Sequence, residues 1–377
     1  MRIVNVVPTI CNEADGVGTF VRSCTEAIEG LSASICIASV GEEYQNGSSE
    51  KIKTFRYGIG PKRLANSPSL KKWIALEARS GSCDVLHNHG FWMMPNTYAL
   101  NARRSPNCKL VVSPHGALSD TALAIGRLRK AIYWGLYHKS GVEKADLIHV
   151  TGESEYIAIR HFGLKNPVCI IPPGVNLPPL NNEQQKEKVI LFLGRIHPIK
   201  GIDRMLLSWK QHQKKYPQWR MEVCGPSKPE YLRSLMNMCE RHLIERVTFR
   251  GAVYGLEKEE LMKKAAVSIL PSHSENFALS VAESLAAGTA VITTKVTPWI
   301  GLTSNNCGWW VESNTDAIGK ALCAAIDMGI EELAKMGLRG RTWMKADYTW
   351  RYSALQLLRA YHWIRYGGEV PDTVRTD

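Results

Sequence analysis

Short apolar runs alternate with helix-period stretches along the chain, and the alternation halts and restarts once, at a segment that no regular element can cross. In the first half the runs are Ile3–Val7, Ser34–Val40, Ile52–Tyr57, Val85–Asn88, Leu110–Ser113, Leu147–Val150 and Val168–Ile171. Helical patterns at Thr19–Leu31, Ser69–Arg79, Gly126–Lys139 and Glu153–Phe162 separate most of them. Buried strands alternating with helices predict a parallel sheet with crossover helices. Pro172, Pro173, Pro178 and Pro179 then fall within one short stretch, removing the N–H donors a helix or central strand needs. Beyond the polar residues from Asn181 to Lys188 the pattern resumes. Its strands are expected at Val189–Leu193, Arg220–Cys224, Val247–Arg250, Val267–Leu270 and Ala290–Thr293. Helices are expected at Ile202–Lys215, Pro229–His242, Lys258–Lys264, Ala278–Ala286 and Thr315–Met328.

The expected fold class is therefore α/β, with two Rossmann-like domains facing a central cleft. The first covers residues 1–175 and the second 176–345, leaving 346–377 as a C-terminal segment. That tail is helical in pattern from Met344 to Arg365 and rich in aromatics (Trp350, Tyr352, Tyr361, Trp363), so it is expected to cross back and pack on the first domain. A length of 377 residues suits two cores better than one. Ligands of doubly wound sheets bind at the carboxyl ends of the strands, which makes the cleft the expected site.

Composition narrows the class. Apolar residues make up 45% and charged residues 22%, ordinary values for a globular protein. The start, Met1 to Pro8, reads as a first buried strand instead of a signal peptide, and no run nears the roughly 18 apolar residues of a membrane span. A cytoplasmic location follows as the expectation. The ten cysteines contain no Cys-x-x-Cys pair and read as reduced, mostly buried thiols. The net charge of +12 gathers partly at Lys62/Arg63, Lys71/Lys72, Arg103/Arg104 and Arg127/Arg129/Lys130. Most such clusters are solvated faces; peripheral contact with an anionic membrane or a diphosphate-bearing acceptor is the functional alternative. No nucleic-acid-binding module is present, so nucleic acid is not an expected partner.

Two segments carry candidate chemistry. Gly194-Arg195-Ile196-His197-Pro198-Ile199-Lys200-Gly201 joins a strand to a helix. Glycines at both ends let backbone approach an anion, while Arg195 and Lys200 can neutralise a diphosphate. The competing reading is a tight turn carrying two solvated bases. In the second segment, Glu275 lies in a loop and Glu283 eight positions later in the following helix. The two acids can hold separate hydroxyls of a sugar nucleotide, and the N–H groups of Phe277, Ala278 and Leu279 between them form a helix start that favours phosphate.

Together the two segments resemble the G-R-x-x-x-x-K-G loop and the E-x7-E motif of glycosyltransferase family 4. Further pieces are similar to that family: Gly16-Val17-Gly18-Thr19-Phe20-Val21, Ser113-Pro114-His115-Gly116, Ala145 to Thr151, Pro173 to Asn176 and Leu285 to Ile292. Thr297-Pro298-Trp299 and Cys307-Gly308-Trp309-Trp310 resemble members that build bacterial capsule, exopolysaccharide or O-antigen. The resemblance implies a GT-B fold and a retaining transfer from a nucleotide-diphosphate sugar to a glycan or a polyprenyl-diphosphate-linked acceptor, with no cofactor and no bound metal. It implies that Arg195 and Lys200 bind the diphosphate, Glu283 the ribose and Glu275 the donor sugar. His115 would contact the sugar near the bond that breaks, and Gly16 and Gly18 would line the phosphate-facing loop. The absence of any Asp-x-Asp agrees with a metal-independent reaction. Departures from the family pattern are Asp15 and Ala278 at common glycine positions, Ala290 at a common proline and Pro173 at a common asparagine. Two other classes compete, a sugar-nucleotide epimerase and a non-catalytic nucleotide-sugar binder; neither needs an acceptor.

Overall fold

The structure, a computed structural model, describes residues 1–10, 16–31, 33–41, 51–102, 108–180 and 185–377. Cys11, Asp15 and the Arg103/Arg104 pair lie outside the described residues. The chain divides into two compact units, Met1–Gly174 with Trp350–Asp377, and Val175–Thr349.

Strands of the first unit are β1 (Arg2–Val6), β2 (Ser34–Val40), β3 (Ile52–Phe55), β4 (Val85–His89), β5 (Lys109–Ser113), β6 (Leu147–Val150) and β7 (Val168–Ile170). The second unit holds β8 (Glu187–Leu193), β9 (Arg220–Cys224), β10 (Val247–Gly251), β11 (Ala265–Leu270), β12 (Ala290–Thr294) and β13 (Gly308–Val311), and β14 (Val374–Arg375) belongs to the first.

The first sheet has the order β14-β7-β6-β5-β4-β1-β2-β3 and is parallel except where β14 runs antiparallel to β7. Its central strands are buried on both faces, as crossover helices require. Val4, Leu86, Leu110 and Val112 pack toward the helices Pro68–Arg79 and Met94–Ala102. The alternate residues Ile3, Val85, Val111 and Leu147 pack with Phe20, Val21, Leu357 and Tyr361 from Gly16–Glu29 and Trp350–Tyr366. The last helix of the chain is thus part of the first core, and Arg365 reaches Asp84 at 3.1 Å.

The second sheet, β10-β9-β8-β11-β12-β13, is parallel throughout. This is the dinucleotide-fold order, whose strand sequence reverses between β8 and β11. The two segments singled out above, after β8 and after β11, leave the sheet side by side at that reversal.

The sequence expectations hold for nearly every strand to within a residue or two, and three differences have physical causes. The expected helix Gly126–Lys139 is instead Arg127–Tyr133, a π turn Trp134–His138 and Lys139–Glu143. The wider turn places His138 inside, where Nε2 lies 3.2 Å from Thr97 Oγ1. The tail expected as one helix from Met344 is two, Ile330–Asp347 and Trp350–Tyr366, because Tyr348 O accepts a 2.7 Å bond from Val175 N and Thr349 bridges Val175. The helix Met94–Ala102 went unread because it is buried on nearly all sides and carries no amphipathic period.

Candidate active site

After β8 the chain makes a sharp exit. Gly194 has φ 159 and Gly225, on the loop beside it, φ 151. The two backbones are so close that a Cβ on Gly225 would lie 1.8 Å from Gly194 O. Ile196 N donates to Pro226 O at 2.9 Å, tying the loop to its neighbour. The turn Pro198–Lys200 closes on Gly201, whose φ of 65 lets it press against Pro271 O. Ile199 O accepts from His273 N at 2.7 Å, so the β8 and β11 loops are stitched together.

The charges follow this frame. Arg195 is exposed and, among the described residues, makes no hydrogen bond or ion pair. Lys200 is ion-paired with Glu275, whose Oε1 also accepts from Ser272 Oγ at 2.8 Å. Desolvation, and then the cations of Arg195, Lys228 and Lys200, hold His197 below its ordinary range, which marks a concentration of positive charge at the loop. Arg204 braces the β11 exit, donating to Pro271 O at 2.8 Å and to Ser313 Oγ at 2.8 Å.

Ala278 stands at the N-cap of the helix Leu279–Ala286 in the left-handed conformation, φ 64. The strain of a non-glycine residue there is held by its neighbours. Trp299, almost fully buried, donates from Nε1 to Phe277 O at 2.6 Å and packs on the Phe277 ring at 5.1 Å. Trp310 Nε1 donates to Thr297 O at 3.0 Å, so the Thr297-Pro298-Trp299 and Trp309-Trp310 motifs serve as scaffolding for this helix start. Glu283 is half-buried and accepts from Lys258 Nζ at 2.6 Å.

In the first unit, His115 follows β5 with φ 50 and Gly116 with φ 77. Buried Glu155 fixes this turn, accepting from Gly116 N at 2.6 Å and from Thr151 N at 2.9 Å. His115 Nε2 lies 3.0 Å from His89 Nδ1, and His89 Nε2 lies 3.2 Å from Asn5 Oδ1. A second run of contacts joins Tyr361 OH to His87 Nδ1 at 2.6 Å, His87 Nε2 to Ser113 Oγ at 2.6 Å and Ser113 Oγ to His149 Nδ1 at 2.7 Å. It ends where His149 Nε2 meets Ile171 O at 2.9 Å. Phe20 packs 5.4 Å from both His115 and His149, and lies on the helix that Gly16 and Gly18 begin.

Known proteins are similar to this chain in sequence and in fold. Residues 14–178 match the family description Glycosyltransferase Family 4, and residues 177–343 match Glycosyl transferases group 1, so the two descriptions cover all of the second sheet and all of the first but β1 and β14. The chain belongs to glycosyltransferase family 4. Among the similar family members is the D-inositol 3-phosphate glycosyltransferase of Segniliparus rotundus, 28% identical over 53% of this chain and 48% of that protein. The matched stretch thus spans about half the length of that relative. The GDP-mannose:cellobiosyl-diphosphopolyprenol alpha-mannosyltransferase of Xanthomonas campestris is 24% identical over 74% of each chain. In fold, the chain is similar to Anabaena HepE, solved in complex with UDP and glucose, with a TM-score of 0.72 at 15% identity over 96% of this chain and 99% of that one.

In this family 4 chain the residues selected from sequence fall into two groups. Arg195, Lys200, Glu275, Phe277, Ala278, Leu279 and Glu283 share the Val175–Thr349 unit, while His115, Gly16 and Gly18 belong to the other. The structure joins Lys200 to Glu275 directly, which their separate assignments did not anticipate. Sequence reading passed over Lys258, Lys228 and Glu155. The first two sit in ordinary charged stretches that give no signal. Glu155 is an acid early in a predicted helix, but only its burial shows that it holds the His115 turn. His87 and His89 lie in the network behind His115.

Burial also fixes how these histidines respond to acid. Desolvation pushes His149 and His138 down to about 4. As pH falls from about 6.5 to about 4, the unfolded chain binds protons that the folded chain refuses, so stability present above that window is lost within it. Each of these two histidines should cost roughly 2 kcal/mol at pH 5. Urea unfolding followed from pH 7.5 to 5 tests this; a flat stability profile would contradict it.

Proposed function

We propose that this glycosyltransferase is a retaining, metal-independent hexosyltransferase that uses a nucleotide-diphosphate sugar. Its acceptor is a glycan or a polyprenyl-diphosphate-linked saccharide of bacterial surface-polysaccharide synthesis. The observation that carries the reading is the Lys200–Glu275 pair at the point where the second sheet reverses, with Arg195 projecting beside it. A diphosphate arriving there meets the planar fork of Arg195 and the ammonium of Lys200. Glu275, released from Lys200, accepts from hydroxyls of the donor sugar. Glu283, steadied by Lys258, accepts from the ribose hydroxyls. The start of the helix Leu279–Ala286 adds partial positive charge where the leaving phosphate gathers negative charge.

In this reaction the anomeric carbon–phosphate oxygen bond breaks as the acceptor oxygen bonds to the same face of that carbon. The acceptor proton passes to the departing phosphate oxygen. His115 contacts the sugar near this carbon. The HepE complex with UDP and glucose supports a nucleotide-sugar donor, and the Xanthomonas mannosyltransferase supports a lipid-linked acceptor.

Purified protein with EDTA, offered UDP-, GDP-, ADP- and dTDP-sugars with and without lipid-linked acceptors, tests the reading. Release of one nucleoside diphosphate that depends on acceptor, with the anomeric configuration kept in the product, is expected. A requirement for added divalent cation sinks the metal-independent part. Isomerised donor without release favours the epimerase, and binding without turnover favours the binder.

The peripheral membrane part of the reading is supported by one surface of the first unit. Ile125, Leu128, Ile132 and Leu136 are exposed at helical spacing, Leu128 by 76% and Leu136 by 70%. No acidic residue occurs between Asp120 and Glu143, while Arg127, Arg129 and Lys139 are exposed there. Of the basic clusters noted in the sequence, Arg127/Arg129/Lys130 thus borders an apolar face, although Lys130 itself turns inward over the Trp92 ring at 5.5 Å. Apolar side chains flanked by bases fit an anionic lipid interface. Binding to phosphatidylglycerol vesicles and its absence with phosphatidylcholine are expected. Leu128→Ser with Leu136→Ser should weaken binding more than tenfold, since each leucine contributes about 1.5–3 kcal/mol when buried. Equal binding to both vesicle types would refute this surface. Among the described residues no helix is long and apolar enough to cross a membrane.

A further inference from the structure

The hydrogen-bond network behind His115 determines which nitrogen of each ring carries its proton. In the run from Tyr361 to Ile171 the Ile171 carbonyl only accepts, so His149 Nε2 donates. Its desolvated ring is neutral, leaving Nδ1 to accept from Ser113 Oγ–H. Ser113 has then spent its proton and accepts from His87 Nε2–H, and His87 Nδ1 accepts from the Tyr361 hydroxyl. Every ring nitrogen in this run has one role and one partner, and Ser113 Oγ accepts from one ring and donates to the next.

The run from Asn5 to His115 ends differently. Asn5 Nδ2 donates to Thr25 Oγ1 at 3.1 Å, which directs Asn5 Oδ1 at His89. His89 Nε2 donates to that oxygen, so His89 Nδ1 is a bare acceptor. His115 Nε2–H must therefore donate inward to His89, leaving His115 Nδ1 as the one ring nitrogen of these four histidines without a partner among the described residues. Ring packing reinforces the order: His89 stacks on His115 at 18° with centroids 5.3 Å apart, and Phe20 closes the side.

We propose that His89, held by Asn5 and Thr25, is a positioning residue that locks His115 in its Nε2–H tautomer and presents Nδ1 to the substrate as an acceptor only. The inference rests on the reading of His115 as the donor-sugar contact. It assigns that contact a polarity: His115 receives a hydroxyl proton from the sugar and has none to give. A substrate lacking a hydroxyl at that point gains nothing from His115, and an ether or carbonyl oxygen placed there meets a lone pair.

Two substitutions at His89 separate positioning from packing. In His89→Asn the amide oxygen lies where Nδ1 lay and keeps the acceptor for His115; His89→Leu keeps bulk and removes it. Asn5→Leu, which leaves the His89 ring in place, guards against a His89→Leu protein that fails to fold. Long-range proton–nitrogen correlation spectra of the full chain at pH 7, assigned by the signals lost in His115→Ala, read the tautomer directly.

The expected result is an Nε2–H His115 in the native protein and in His89→Asn, and a tautomer mixture in His89→Leu and Asn5→Leu. Sugar transfer should fall about tenfold in kcat in the two leucine variants, the loss of one aligned hydrogen bond, with KM for the donor little changed. His89→Asn should stay within about threefold of the native rate. A His115 that keeps its Nε2–H form in His89→Leu overturns the proposal, as does an equal loss of rate in His89→Asn and His89→Leu. Full activity in His115→Ala strikes instead at the reading of His115 as a sugar contact, and the spectra still decide whether His89 sets its tautomer.

Discussion

Lys200→Ala is expected to lower kcat/KM for sugar transfer by on the order of 10²–10³, the cost of removing one preorganised charge stabiliser at a site of developing negative charge. Arg195→Ala should lose a similar factor, and the two should differ in stability. Arg195 is exposed and without a partner among the described residues, so its removal leaves the melting temperature unchanged. Lys200 neutralises Glu275, whose side chain is only 10% exposed, and its loss strands that carboxylate beside a single hydroxyl from Ser272. About 1–3 kcal/mol of destabilisation follows. Steady-state kinetics and thermal unfolding of both variants check the pair of expectations. A Lys200→Ala protein that transfers sugar at the native rate would remove the diphosphate role from this loop, and a native melting temperature would remove the structural role of the pair.

Gly225→Ala should be more damaging than its size suggests. The new methyl would sit 1.8 Å from Gly194 O and 2.7 Å from Gly194 C, both backbone atoms that no rotamer change can move aside. The φ of 151 at Gly225 is also one that alanine adopts only under strain. Relief requires the backbone of Gly194 and Arg195 to shift away, moving the fork of Arg195 off its line. Overpacking and backbone strain together should cost about 4 kcal/mol, and transfer should drop to the level of Arg195→Ala or below. Denaturant unfolding and donor-binding calorimetry read the two effects separately. Normal donor affinity in a folded Gly225→Ala protein would mean that the approach of these loops is not what sets the anion site.

The architecture was legible because parallel strands covered on both faces are written as unbroken apolar runs, such as Val189–Leu193 and Ala290–Thr293, that no solvated alternative explains. The candidate loops were picked out by their joint resemblance to the family 4 motifs, since a glycine-bounded turn with two bases also reads as an ordinary tight turn. Partnerships were not. Lys200 and Glu275 are 75 positions apart, and only the adjacency of β8 and β11 brings them together. Glu155 and Lys258 look like ordinary helix acids and bases until burial and geometry are known. The π turn at Trp134–His138 had no signal either, because the register it changes matters only once Thr97 is there to receive His138. The aromatic motifs around Trp299 and Trp310 entered only as a resemblance to polysaccharide-building members, and in the structure they hold Phe277 O and Thr297 O.

If Lys200 and Glu275 take the donor roles proposed above, their ion pair has a kinetic consequence. Glu275 would then be a built-in rival of the donor phosphates for the charge of Lys200, and every ligand that takes the lysine would also have to satisfy the abandoned carboxylate. An intact sugar nucleotide does both, because its phosphates and its hydroxyls arrive together. The spent nucleotide has lost the hydroxyls and leaves Glu275 uncompensated in a poorly solvated position. On that reading the rivalry would weigh against the product and not against the substrate, and turnover would gain a means of emptying the site without a separate device for expelling what remains.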